Sequence, residues 1–336
     1  MKKLIAVFLA SVLFLPLASI HAQSTRSTSS GHASKSAAQA YPTKPIRFII
    51  SFGPGSASDA LARIAGQELT QSFGQPVVVL PKPGADGALS GMELKRSTPD
   101  GYTFLFGSNS ALAVVVGLRK DPPYDPTKDF TPITYLGDNT FFIVVHPSVP
   151  AKSIADLVTY ARANPKAINY PAGNTYALVA TGAFATSNGI LMHPIPYKSE
   201  PDAIPDLLSG RVQLLFGTFT SVGAHVKDGK LRVLATTLNE RSPLMPDVPA
   251  FPETGQPKLP VGPWFGLVGP AGLPREIVVR MNKEMVAVLA KPTVKELMLR
   301  HGFMAKSSTP EALAAYIKDQ VEVWKTALKA AGVDPQ

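Results

Sequence analysis

Short runs of β-branched and aromatic residues recur along this chain, and most give way at once to apolar residues at helical spacing. The first case is the clearest. "IRFIISF" (Ile46–Phe52) runs into a glycine- and proline-rich turn, after which Leu61, Ile64, Ala65, Leu69 and Phe73 recur at spacings of three and four. A change of period from two to 3.6 across a tight turn is the mark of a strand feeding a crossover helix. Repeated, it restricts the chain to an α/β architecture and predicts a parallel sheet.

The pattern continues. "PVVVLP" (Pro76–Pro81) is too short for a helix and reads as a buried strand. "GADGALSGMELKRSTPDG" reads as a helix opening near Asp86 and closed by Pro99 and Gly101, and "YTFLFGS" (Tyr102–Ser108) as a third strand. A proline-marked connection, "DPPYDPTKDFTPI", leads to the strand "FFIVVHP" (Phe141–Pro147), and Ser153 with Asp156 opens a helix ending near "ANPK". "VQLLFG" (Val212–Gly217) and "LRVLATT" (Leu231–Thr237) are further strands, with a helix around Ala224–Lys227 between them. "GPWFGLVGP" (Gly262–Pro270) reads as the chain returning to its first unit. The end is helical: Pro274 starts one helix, Thr293 with Glu296 caps another, and Thr309-Pro310 opens a last one stopped by Gly332. The expectation is two α/β units, residues 41–140 plus 262–336 and an inserted 141–261.

The N-terminus has another character. Lys2 and Lys3, an apolar stretch from Leu4 to Leu17 and an approach to Ala22 form the three-part layout of a secretory signal peptide over residues 1–22. No cysteine follows, which excludes a lipoprotein anchor. "QSTRSTSSGHASKSAAQA" (23–40) holds no bulky apolar residue and reads as a flexible tether. These features predict a periplasmic protein.

Composition narrows the function classes. With 45% hydrophobic and 17% charged residues the chain is globular, and no later apolar run is long enough to span a bilayer. The net charge is +9, but Lys2, Lys3, Arg26 and Lys35 precede the fold, and the remaining basic residues are scattered, so nucleic-acid and membrane binding are unsupported. There are no cysteines, hence no thiolate chemistry.

The first turn is the leading candidate site. Gly53, Pro54 and Gly55 follow a strand end, and Ser56 to Asp59 lead into a helix whose first amides have no intrahelical partner and suit a carboxylate, phosphate or sulfate. The same residues also read as plain helix capping by Ser58 or Asp59. "NYPAGNTYAL" (Asn169–Leu178) has the same character, and two such turns facing across a cleft would grip one anion from both sides. Neither a Walker loop nor a dinucleotide fingerprint is present. The histidines His146, His193, His225 and His301 show no metal or catalytic spacing, and no nucleophile elbow exists. Trp264 and Phe265 read as core or as a stacking surface. Asp86 and Asp138 read as turn residues with the option of meeting a ligand amine or a water.

Several segments in fixed order carry a resemblance: "YPTKPIRFIISFGPGSASDALAR", "PGADG", "PDGYTFLFGS", "YDPTKDFTPI", "IPYK", "DLLSGRVQLLF", "KLRVLATT" and "RSPLMPDVPAFPETG". From about Tyr41 to Gly332 the chain resembles the Bug-type extracytoplasmic receptors of tripartite tricarboxylate transporters. The resemblance implies a two-lobed α/β periplasmic binding protein of the type II, Venus-flytrap kind. It would be monomeric and need no cofactor or metal, and it would bind a small carboxylate and deliver it to the transporter's membrane permease subunits. It also implies a ligand site at Phe52, Gly53, Pro54, Gly55, Ser56, Ser58 and Asp59 in the first turn and Gly173, Asn174, Thr175 and Tyr176 in the second. Asp86, Ser108 and Phe219 complete the candidate set. Two departures stand out. "PAGNTYAL" is shorter than the family's second turn and has no histidine, and Gly217 stands where an aspartate often follows the strand "LLF". With Tyr176 and Phe219 kept, they point to a less polar ligand, with aromatic and aliphatic ones both open. The alternatives are a ligand sensor serving a signalling partner and an exported enzyme built on Ser56, Ser58 and Asp59, which lacks a base in the same motif.

Overall fold

A computed structural model of the chain describes residues 41–172, 174–197 and 200–335. The signal-peptide and tether readings, and Gly173 among the candidate site residues, lie outside the described residues.

The chain opens with β1 (Ile46–Ile50), α1 (Ala57–Phe73), β2 (Val77–Pro81), α2 (Ala88–Lys95) and β3 (Thr103–Ser108). β1 pairs in parallel with both β2 and β3, as two crossover helices require. A π-turn over Ser110–Val114 continues into α3 (Val115–Leu118), and a long strand β4 (Phe130–Asn139) follows. β10 (Trp264–Pro270) runs antiparallel between β3 and β4, and β11 (Phe303–Ala305) closes the edge, giving six strands in the order β11-β4-β10-β3-β1-β2.

Both faces of this sheet are covered. Phe48, Ile50, Phe104 and Phe106 pack with Leu61, Ala65 and Leu69 of α1, with Met281 and Met285 of α8 (Arg275–Ala290), and with Met298 of α9 (Pro292–Arg300). Their strand neighbours Ile49 and Leu105 face Leu112 and the residues Leu313, Ile317 and Trp324 of α10 (Pro310–Ala330). Alternate side chains thus enter two different apolar layers, which is why the strands read as near-continuous hydrophobic runs.

At Thr140 the chain leaves this sheet and enters β5 (Phe141–Val145), the centre of a three-stranded antiparallel sheet with β8 (Leu214–Thr218) and β9 (Arg232–Thr236). Around it lie α4 (Ile154–Ala163), the parallel pair β6 (Asn169–Ala172) and β7 (His193–Pro196), α5 (Thr175–Asn188), α6 (Glu200–Leu208) and α7 (Phe219–Lys227).

Several expectations need correction. Among the described residues the parallel ladders are β1–β2, β1–β3 and β6–β7, with one isolated parallel bridge between Thr236 and Ala250, and the other ladders are antiparallel. β4 passes into β5 through the single residue Thr140, with no crossover helix between them. β2 is an edge strand with Val78 44% exposed, so its β-branched run reflects strand propensity and not burial on both faces. The "TPI" of the supposed connection belongs to β4, whose Pro132 and Gly137 disguise it. β11 reaches only Gly137–Asn139, so the Pro132 stretch carries no second ladder on that side. α9 begins at Pro292, which leaves Thr293 inside the helix and not at its cap.

Candidate functional site

Three strand ends meet where β2, β1 and β3 finish. The turn after β1 is braced by its own side chains. Ser56 caps α1 and accepts from the Asp59 amide at 3.3 Å, while its Oγ lies 3.0 Å from Ser58 Oγ. The Gly55 amide donates to Asp59 Oδ2 at 3.0 Å and Arg63 Nε to Oδ1 at 2.9 Å. Burial alone would raise the Asp59 carboxyl, but these hydrogen bonds and the Arg63 charge outweigh it and hold the group below the ordinary carboxylate range. Asp59 therefore supports the turn and is not free to serve as a base. The amides of Gly53, Ala57 and Ser58 meet no acceptor among the described residues. Phe52 is exposed at the rim, Pro54 and Gly55 are exposed, and Ser58 is buried.

A hydrogen-bond relay joins this turn to the one after β2. Ser90 Oγ donates to the Gly87 carbonyl at 2.7 Å and lies 2.8 Å from Ser51 Oγ. Ser90 has one proton and spends it on Gly87, so Ser51 must donate to Ser90. Gly87 sits at φ +88° with no room on one side: a Cβ would lie 3.1 Å from both the Ala111 nitrogen and its Cβ. That contact seats the Ala85–Gly87 turn against the third turn, after β3. There Ser108 Oγ and Asn109 Nδ2 are buried without a partner among the described residues, and so are Asn139 Oδ1 and Thr140 Oγ1 at the end of β4. β3 and β4 both flank the start of β10, with Ser108 opposite Phe265 and Trp264 opposite Asp138. Unpartnered buried polar atoms are costly in a folded chain, so a group of them at the C-terminal ends of β3 and β4 marks a place for polar company from outside the protein.

The second candidate turn reaches this edge. Asn174 caps α5, its Oδ1 accepting from the Ala177 amide at 2.7 Å. Thr175 Oγ1 donates to Asp86 Oδ1 at 3.3 Å, which joins the inserted segment to the turn after β2. The Thr175 and Tyr176 amides at the start of α5 have no intrahelical acceptor. The Tyr176 side chain turns inward: it is 4% exposed, its ring stands edge-on to Phe141 at 4.6 Å, and burial pushes its hydroxyl well above the ordinary tyrosine range.

Phe219 stands apart from these turns. Its ring packs on Phe142 with centroids 6.0 Å apart, its amide donates to the Thr140 carbonyl at 3.3 Å, and its Cβ leaves no room for a side chain at Gly302. It sits at the crossing between the two sheets. Asp138 is occupied by the Tyr135 hydroxyl and by Lys306 Nζ at 3.0 Å. Trp264 and Phe265 are core residues, 0% and 5% exposed.

One site neighbour escaped the sequence reading. Glu200 is 7% exposed, accepts from the Thr218 amide and hydroxyl at 2.8 Å each through Oε1, and accepts from Asn174 Nδ2 at 3.2 Å through Oε2. Burial raises its carboxyl above the ordinary range, partly offset by the Thr218 and Ser221 hydrogen bonds. An acid in the first turn of a helix is ordinary dipole compensation, so nothing in the local sequence singled it out.

Comparison with known proteins decides the family. Residues 61–333 match the tripartite tricarboxylate transporter family receptor. The chain belongs to that family. It is 32% identical over 305 residues to protein BugT of Bordetella pertussis, covering 90% of this chain and 94% of the relative. Among solved structures it is similar to the periplasmic binding protein BugD, at 30% identity and a TM-score of 0.78, covering 88% of this chain and 100% of the other. It is also similar to an R. palustris protein solved with adipate, at 28% identity and a TM-score of 0.81, with 88% and 100% covered. The fold is the two-lobed α/β one of these receptors, and the Bug-type resemblance carried by the sequence holds.

Proposed function

We propose that this tripartite tricarboxylate transporter family receptor captures a small carboxylate between two lobes, residues 41–140 plus 262–336 and residues 141–261, in the periplasm. It then delivers the ligand to the membrane permease subunits of its transporter and performs no chemistry on it. Among the described residues no helix is long and apolar enough to cross a membrane. The observation that carries the reading is the hydrogen bond between Thr175 and Asp86, which ties the second candidate turn to the turn after β2, itself joined to the end of β1 through Gly87, Ser90 and Ser51, beside buried polar atoms that have no partner among the described residues. The unpartnered amides of the two candidate turns suit one carboxylate held from both sides. The adipate complex of the R. palustris relative supports a carboxylate as the ligand class.

The first lobe's share of the grip comes from Gly53, Ser56 and Ser58 with Phe52, Pro54 and Gly55 shaping the rim. Asp59 holds that turn in place. Ser108 supplies a buried hydroxyl, and the second lobe supplies the start of α5 at Asn174, Thr175 and Tyr176. Because the ligand touches both turns, it binds the closed arrangement better than an open one, and that difference drives closure. Phe219 and Thr140 lie where the chain crosses between sheets, at the place a closing motion bends.

The test is a thermal-shift screen of the purified protein against mono-, di- and tricarboxylates, aromatic acids and amino acids. A ligand at a hundred times its Kd stabilises the folded state by about 2.7 kcal/mol, a rise of several degrees. A saturable rise with one carboxylate class is the expected result. A flat response across all of them rules the reading out.

A further inference from the structure

Adjacent residues of the second turn each donate to a carboxylate: Asn174 Nδ2 to Glu200 and Thr175 Oγ1 to Asp86. The two acids come from different parts of the fold, Asp86 from the turn after β2 and Glu200 from the first turn of α6. Among the described residues neither forms an ion pair, in contrast to Asp59 with Arg63 and Asp138 with Lys306. Among the described residues Arg119 comes near Asp86, but its Nη2 donates to the Ala85 carbonyl at 3.4 Å and not to the Asp86 carboxylate. Glu200 cannot turn away, because both of its oxygens are held by donors from the starts of α5 and α7.

We infer that Asp86 and Glu200 are specificity-determining residues that restrict the cleft to ligands bearing a single carboxylate and turn away di- and tricarboxylates. The inference rests on the carboxylate-receptor reading and sharpens it. One carboxylate finds amide donors at both turns. A second one, lying within the same cleft, meets two acids that have no counter-ion among the described residues, and beside the buried Glu200 like charges repel more strongly than in water. The distal part of a favoured ligand is therefore neutral or a hydrogen-bond donor toward Asp86. The departure at Gly217 does not leave this end without acid, since Glu200 reaches the Thr218 amide directly after it.

The experiment compares matched pairs by titration calorimetry at one pH and ionic strength: hexanoate against adipate, and benzoate against terephthalate. The purified wild-type protein binds the monoacid of at least one pair about tenfold tighter or better. The isosteric double variant Asp86→Asn/Glu200→Gln shrinks that ratio by about tenfold, chiefly by tightening the diacid. Asp86→Asn alone, at an exposed position, moves the ratio in the same direction. Equal or tighter binding of the diacids by the wild type overturns the inference and leaves the receptor reading intact. So does a ratio unchanged in both Asp86→Asn and the double variant. A screen hit carrying two or more carboxylates has the same force. No binding of any acid, in these pairs or in the wider screen, removes the receptor reading and the inference with it.

Discussion

Thr175 and Asp86, separated by 89 residues of chain, are joined by a hydrogen bond of 3.3 Å between hydroxyl and carboxylate. Asp86 is able to reach because its backbone sits at φ +55°, a left-handed conformation that aspartate tolerates better than most residues. The turn that holds it is pinned from below by the relay through Gly87, Ser90 and Ser51. The two candidate turns are thus parts of one hydrogen-bonded assembly.

Ser56 combines helix capping with a position at the mouth of the first turn. Ser56→Leu loses the cap to the Asp59 amide, which costs about 1 kcal/mol of stability, and fills the space beside Ser58. The protein stays folded by circular dichroism, while carboxylate affinity falls by about tenfold or more. Unchanged affinity removes the first turn from the site.

Gly87 holds the Asp86 turn against the start of the third turn. Gly87→Ala places a methyl 3.1 Å from the Ala111 nitrogen at φ +88°, so the turn must move or strain. The expected cost is about 1–2 kcal/mol, read as a lower denaturation midpoint with an unchanged slope, together with weaker ligand binding. A variant with wild-type midpoint and affinity shows that the seating of this turn does not matter.

Asp59 has its carboxyl held below the ordinary value of 3.8 in the folded state. Its contribution to stability is therefore present above the unfolded value and is lost as pH falls through the folded one. Asp59→Asn melts below the wild type at neutral pH, and the gap closes only as the pH drops beneath 3.8. A gap independent of pH down to that region means the hydrogen bonds from Arg63 and Gly55 contribute nothing through charge.

Glu200 behaves in the opposite sense. Its folded-state value lies above 4.5, so the protonated form is favoured by folding and the associated stability is lost as pH rises from 4.5 through the folded value. Glu200→Gln should gain melting temperature relative to the wild type across that rise, and the gain should level off above it. A difference that shrinks with rising pH contradicts a buried carboxylate at this position.

Local sequence was enough for the elements that depend on local physics. The period change after Ile50 places α1, Ser153 and Thr309 cap their helices by accepting from the Asp156 and Ala312 amides, and Gly332 ends the last helix region at φ +69°. Local sequence also marked both turns, because glycine, serine and asparagine at a strand-to-helix junction are a short-range signal. It did not show β4, since Pro132 and Gly137 break the strand pattern and only pairing with β10 makes that stretch extended. Nor did it show that β10 and β11 enter the first sheet antiparallel, because strand direction is set by which partner a returning segment meets. Glu200 was invisible for the same reason: an acid at a helix start is commonplace until folding buries it between Asn174 and Thr218. Which turns meet follows from contacts between segments far apart in the chain, and only the tertiary structure brings Asp86 and Thr175 within hydrogen-bonding distance.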